Sequence, residues 1–329
     1  MINSRTFVGI AASLFAWATA GDPASAQSWP SRPMTMVVPF AAGGGADIMG
    51  RILAARLSEI LGQQVVVENA GGAGGMTGAY RVAKAAPDGY QFVLGTNGTH
   101  AQNQSLYKNP LYNAATDFAP VALIAEQPIG LLTRPDFPAG NLKEFIAYAK
   151  SNQATMKYGS AGTGSAVQLS CVLLNAANGL TITHVPYRGS APAMQDLIAG
   201  RIDYQCANVA PALGQIEGHQ VKALAILGRH RTALMPDLPT ADEQGLTGFD
   251  AVLWYGLFLP KGTPAAIVQK LNAAIIATMD TPAVQERMKQ NGAELTAPEF
   301  RSPEYLGKLV ESEIVKWAGP IKASGVTAD

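Results

Sequence analysis

At 329 residues the chain is long enough for two domains of ~100–200 residues each, and its 48% hydrophobic and 15% charged content exclude a disordered protein. Lys and Arg number 24 against 24 Asp and Glu, with no basic stripe, which argues against a nucleic-acid partner.

The first residues read as a targeting segment. Arg5 is the positive start, residues 7–20 form the apolar run, and Ala24-Ser25-Ala26 is a small-residue cleavage signal. Cleavage after Ala26 is expected, leaving the net charge at zero because only Arg5 and Asp22 are lost. No later apolar run reaches the ~18 residues that a membrane span needs, so an exported, soluble protein is expected.

Residues 35–38 predict a strand closed by Pro39, which cannot donate to a sheet ladder. The turn Phe40-Ala41-Ala42-Gly43-Gly44-Gly45 follows, then a helix from Ala46 with Met49, Ile52, Leu53, Leu57 and Ile60 at helical spacing. Strand, glycine turn and helix N-terminus together form an anion cradle, because the first N–H groups of a helix are unpaired. Next come a strand at 65–67, a glycine run at 71–75, a helix at 76–83, the turn Pro87-Asp88-Gly89 and a strand at 91–95. This alternation predicts βαβ units and a largely parallel α/β sheet. Ligands sit beyond the carboxyl ends of such strands, where Phe40 to Gly45 and Thr96, Asn97 and His100 lie.

Residues 118–133 are apolar and extended, and predict a connection into a second lobe. A helix at 142–150 and a strand at 156–160 lead to a second glycine loop, Gly159-Ser160-Ala161-Gly162-Thr163-Gly164-Ser165, with a helix from Ala166. Ser160, Thr163 and Ser165 carry hydroxyls suited to capping that helix or holding a carboxylate. Strands at 183–187, 202–207 and 221–227 alternate with helices at 191–199 and from Val209, and residues 251–259 predict the return crossing. Helices at 263–278, 282–291 and 302–322 are expected to pack on the first lobe. The expected organisation is a signal peptide at 1–26, a discontinuous first lobe at 27–128 and 252–329, and a second lobe at 129–251. Two anion-type loops on two lobes suggest one small acidic ligand between them.

Chemical motifs are mostly excluded. From Gly72 the run reads G-A-G-G-M-T, with threonine where a dinucleotide fingerprint needs its third glycine. Tyr158 stands where a nucleophile elbow needs glycine. His100, His184, His219 and His230 lack metal spacing, so neither metal nor cofactor is expected. Asp47 either meets a ligand donor or only stabilises its own helix start. Arg188 either neutralises an anion or is a solvated turn residue, and Phe40, Tyr187 and Trp254 are candidate cleft walls. Cys171 falls on an apolar helix face and Cys206 in a strand. An even count in an oxidising compartment permits a bridge, but an apolar helix face and a strand favour two buried thiols serving as small hydrophobes.

Several stretches resemble the Bug-type extracytoplasmic solute receptors, the substrate-binding proteins of tripartite tricarboxylate transporters. They are Val37-Val38-Pro39-Phe40-Ala41-Ala42-Gly43-Gly44 with Asp47, Asn69 with Gly71 to Gly75, Ala86-Pro87-Asp88-Gly89-Tyr90, and Gly98-Thr99-His100. Asp117-Phe118-Ala119-Pro120-Val121, His184-Val185-Pro186-Tyr187-Arg188-Gly189, Asp237-Leu238-Pro239-Thr240 and Trp254-Tyr255-Gly256-Leu257 extend the match along the mature chain. The resemblance implies a periplasmic, two-lobed periplasmic-binding-protein fold of type II-like form, each lobe a mixed, mainly parallel sheet flanked by helices. It also implies a carboxylate ligand with membrane transporter subunits as partners; a mono- or dicarboxylate is expected, aromatic ones included because Phe40, Tyr187 and Trp254 offer flat walls, and a monomer is expected. By the same resemblance a ligand carboxylate is gripped by the first loop, with Phe40, Ala41, Gly43, Gly44 and Asp47, and by the second, with Ser160, Gly162, Thr163, Gly164 and Ser165. Thr96 and Asn97 at a strand end, with Tyr187, Arg188 and Asn208 of the second lobe, are the further expected contacts. Gln168 stands where the family often has histidine, and Ala207-Asn208 where it often has aspartate, which disfavours an amine-bearing ligand. An exported serine hydrolase using the second loop and a ligand-presenting sensor subunit are the alternatives.

Overall fold

The computed structural model describes residues 29–328; the expected signal peptide and its cleavage site lie outside them. The chain opens with β1 (Met34–Val38), α1 (Gly45–Leu61), β2 (Val65–Asn69), α2 (Met76–Ala83), β3 (Gln91–Thr96), α3 (Asn103–Leu106) and β4 (Phe118–Gln127). A second group follows: β5 (Ile129–Thr133), α4 (Leu142–Asn152), β6 (Lys157–Ser160), α5 (Ala166–Ala177), β7 (Thr183–Pro186), α6 (Ser190–Ile198), β8 (Tyr204–Asn208), α7 (Leu213–Glu217) and β9 (Lys222–Ile226). The chain closes with β10 (Leu253–Pro260), α8 (Ala265–Met279), α9 (Pro282–Gln290), β11 (Glu294–Leu295) and α10 (Pro303–Ala323).

Two sheets result, ordered β11-β4-β10-β3-β1-β2 and β7-β6-β8-β5-β9. Without the short edge strand β11, both share one plan. Three strands run parallel, and the strand arriving from the other sheet is inserted antiparallel beside the third. The fourth then pairs with the inserted strand. Each lobe is thus a mixed, mainly parallel sheet flanked by helices, the expected two-lobed architecture.

The crossings are short. Pro128 alone separates β4 from β5. The return differs from the expectation of a crossing at 251–259: β10 lies wholly inside the first sheet, antiparallel to both β3 and β4. The passage between lobes comes just ahead of it, where the Ala251 N–H still donates to the Leu227 carbonyl of the second lobe at 2.7 Å. An entirely apolar segment has the same composition whether it links sheets or fills the middle of one. All eight residues of β10 are buried, as a central strand requires.

Local rules account for the elements beside the cleft. In α1, Met49, Leu53 and Leu57 repeat every fourth residue and are fully buried, and Gly62 ends the helix at a left-handed φ of 67°. Burying each such side chain stabilises by about 1.5–3 kcal/mol. In α5 the Ser165 hydroxyl caps the helix by accepting from the Gln168 N–H. A disulfide joins Cys171 of α5 to Cys206 of β8, deciding between bridge and free thiols in favour of the bridge. The closing helices α8 and α10 pack on β4, and α9 packs on α1, all in the first lobe.

Candidate functional site

The N-termini of α1 and α5, one from each lobe, line a single cavity. Its wall comprises Phe40, Gly44, Gly45, Ala46 and Thr96 from the first lobe, and Ala161, Ser165, Ala166, Val167, Ser190 and Asn208 from the second. Leu253 and Tyr255 of β10 close the hinge side. It holds about 360 Å³ of empty space, part of it open to solvent. The first N–H groups of both helices have no intrahelical partner and carry the positive end of the helix dipole. No charged side chain stands among the described lining residues. An adjoining chamber shares Gly44, Gly45, Ser190 and Asn208 and continues past Gly43, Gln195, Gln205 and Gln215.

The structure distributes the other expected site residues by role. Asp47 is buried outside the cavity wall, its carboxylate accepting from the Gly43 N–H at 3.0 Å, Asn69 Nδ2 at 3.0 Å and Arg51 Nε at 3.1 Å. Burial opposes its ionisation, yet the bonds from Arg51, Gly43 and Asn69 hold its carboxyl below the usual range. Its work is to fold the first loop. Asn97 donates to the Val252 carbonyl at 2.9 Å and pins the return crossing. Ala41, Gly162, Thr163, Tyr187 and Arg188 lie at the outer mouth of the cleft. There Arg188 is exposed, and the Tyr187 hydroxyl donates to Asp196 at 2.7 Å.

Ser160 is 1% exposed and lines none of the cavities described here. Its Oγ lies 2.7 Å from His184 Nε2 and accepts from the Gly162 N–H at 3.1 Å. Burial pushes the His184 imidazole down to about 4, so the ring is neutral at pH 7. Ser165 also spends its hydroxyl inside the loop, donating to the Gly162 carbonyl at 2.7 Å while capping α5. It lines the cavity without a hydroxyl proton to offer. Gly164 donates its N–H to Gln168 Oε1 at 3.3 Å, so the glutamine standing where histidine is common braces the second loop.

The lobes touch across the cleft mouth. The Ala41 N–H donates to the Arg188 carbonyl at 3.1 Å, and the Tyr107 hydroxyl donates to the Thr163 carbonyl at 2.8 Å. The glycine run that failed the dinucleotide pattern has its purpose here. A Cβ on Gly74 would sit 2.1 Å from the Thr163 carbonyl oxygen, and one on Gly71 2.7 Å from that of Arg188. These glycines let two backbones meet.

Sequence reasoning missed Tyr255 and Ser190, both in the cavity wall. Trp254 was the expected cleft wall, but successive residues of a strand face opposite sides. Trp254 turns away, its indole N–H near Glu313 Oε2 at 3.4 Å, and Tyr255 faces the cavity between the lobes. The alternation rule was the available signal, and it lacked only the knowledge of which face was which.

The pattern of the tripartite tricarboxylate transporter family receptors matches residues 49–326. The UPF0065 protein of the TAR-I ttuE-ttuC' intergenic region of Agrobacterium vitis is 40% identical over 325 residues, covering 98% of this chain and 92% of that protein. Among solved structures, the periplasmic binding protein BugD superimposes with a TM-score of 0.88 at 42% identity, over 92% of this chain and 100% of BugD. MatC from Rhodopseudomonas palustris with bound malate gives 0.86 at 42% identity, over 89% of this chain and 100% of MatC. With a two-lobed periplasmic-binding-protein fold and a match along nearly all of its length, this chain belongs to the family of tripartite tricarboxylate transporter receptors.

Proposed function

We propose that the protein captures a small carboxylate between its lobes and hands it to membrane transporter subunits after export and removal of residues 1–26. The observation that carries this reading is the pair of helix N-termini, from α1 and α5, converging on one cavity with uncharged walls. Such a site neutralises a carboxylate with backbone N–H groups and dipoles, at no cost in burying a cationic side chain. The MatC likeness, a receptor with malate bound, supports the same ligand class. Two single-pass crossings, near Pro128 and Val252, permit hinge closure around the acid.

The Ser160–His184 contact favours a hydrolase as the second reading. Against it, the serine hydroxyl is occupied on both sides and faces none of the cavities described. The test is a thermal-shift screen of mono-, di- and tricarboxylates, with the acid recovered and analysed afterwards. A bound acid at 100 times its dissociation constant adds about 2.7 kcal/mol to stability and is recovered unchanged. A screen in which no carboxylate raises the melting temperature, or one that returns a cleaved ligand, overturns the reading.

A further inference from the structure

Three amides form a directed relay into the cavity, and its polarity is fixed at one end by chemistry. The Asn291 backbone carbonyl can only accept, and Gln127 Nε2 donates to it at 2.6 Å. That leaves Gln127 Oε1 as an acceptor, and Asn208 Nδ2 donates to it at 2.7 Å. A second contact from Asn208 Nδ2, 3.4 Å to the Tyr255 hydroxyl oxygen, uses the remaining proton. Asn208 therefore presents Oδ1, which has no hydrogen-bond partner among the described residues, beside Gly45 at the start of α1. Gln127 is 1% exposed and Asn208 6%, so water cannot readily reorient either amide.

Among the side chains lining the cavity, Asn208 Oδ1 is the one acceptor-only atom without a partner, because the Ser165 oxygen, its proton spent on the Gly162 carbonyl, already accepts from the Gln168 N–H. Thr96, Ser190 and Tyr255 carry hydroxyls that can donate, and the helix N-termini donate only. A carboxylate satisfies the donors and leaves Oδ1 unpaired; a carboxylate that also bears a hydroxyl satisfies both. An ammonium group would supply a donor too, but it would enter between two positive helix ends with no carboxylate in the described wall.

We propose that the site selects hydroxycarboxylates, the ligand hydroxyl donating to Asn208 Oδ1, and that Gln127 is the positioning residue that sets this preference. The inference rests on the carboxylate reading above and sharpens it. Gln127 touches no ligand; it acts by holding the Asn208 amide one way round. The relay joins β8 of the second lobe to β4 and the α9–β11 turn of the first, beside the crossing at Pro128.

The experiment is calorimetric titration of the full mature chain with malate, succinate and aspartate, which share a four-carbon diacid frame. The wild type is expected to bind malate roughly tenfold or more tighter than succinate, as for a buried polar group left unpaired by the analogue, and tighter than aspartate. Gln127→Leu frees the Asn208 amide to turn, and the malate-to-succinate ratio should fall toward one. Asn208→Ala removes the acceptor without adding bulk, should also level the ratio, and decides the matter if Gln127→Leu does not fold. Equal binding of malate and succinate by the wild type overturns the inference and leaves the carboxylate reading intact. A malate preference that survives Gln127→Leu, or Asn208→Ala, overturns it as well. Failure of every acid to bind removes both readings together.

Discussion

The Tyr107 hydroxyl of the first lobe donates to the Thr163 carbonyl of the second at 2.8 Å. It is a latch on the outer side of the cleft, far along the sequence from either hinge crossing. An interlobe bond of this kind contributes to affinity only in the closed form. Tyr107→Phe removes about 0.5–1.5 kcal/mol from closure. The expected outcome is carboxylate affinity reduced by roughly two- to tenfold, mainly through faster dissociation. Stopped-flow release of bound acid measures it, and an unchanged off-rate would show that the latch carries no closing energy.

Gly74 tests closure from the other direction. Its φ of +62° already favours glycine, and a Cβ there would reach 2.1 Å from the Thr163 carbonyl oxygen. Gly74→Ala adds left-handed strain of about 1–2 kcal/mol in any lobe arrangement, and the collision only when the lobes meet. Small-angle scattering at saturating ligand should then give a larger radius of gyration than the wild type. Equal radii would mean that the second glycine loop yields instead.

The Cys171–Cys206 bridge spans 35 residues and ties the helix behind the second glycine loop to the strand that carries Asn208. A loop of that size is worth about 4 kcal/mol through restriction of the unfolded chain. Replacing both cysteines with alanine should lower the melting temperature measurably and leave the order of ligand preference unchanged. A double variant as stable as the wild type would contradict this.

Two imidazoles make the fold acid-sensitive. Burial pushes His100 down to about 3 and His184 down to about 4. Unfolding returns each to the ordinary value near 6.5. The unfolded chain therefore binds more protons, and stability present above about pH 6.5 is lost as pH falls through the folded values. His184→Gln should flatten part of the decline in melting temperature between pH 7 and pH 4. An identical decline in the variant would assign the acid sensitivity elsewhere.

The sequence by itself determined the α/β class, the two lobes, the two glycine loops and the family. Those features rest on local patterns: helical spacing in 46–60, glycine turns after strands, and motifs such as Val37-Val38-Pro39-Phe40 that survive reading in one dimension. Only the tertiary structure decided which side chains of those segments line the cavity between the lobes. Asp47 lies in the right loop and is consumed by Gly43, Asn69 and Arg51. Trp254 and Tyr255 are neighbours on a wholly buried strand, where the apolar pattern cannot say which face meets the cleft. Asn208 and Gln127 lie 81 residues apart, and their pairing exists only because β8 and β4 meet at the hinge. Hydrogen-bond direction is a property of three-dimensional neighbours, and no spacing in the chain encodes that an Asn291 carbonyl will orient an amide two links away.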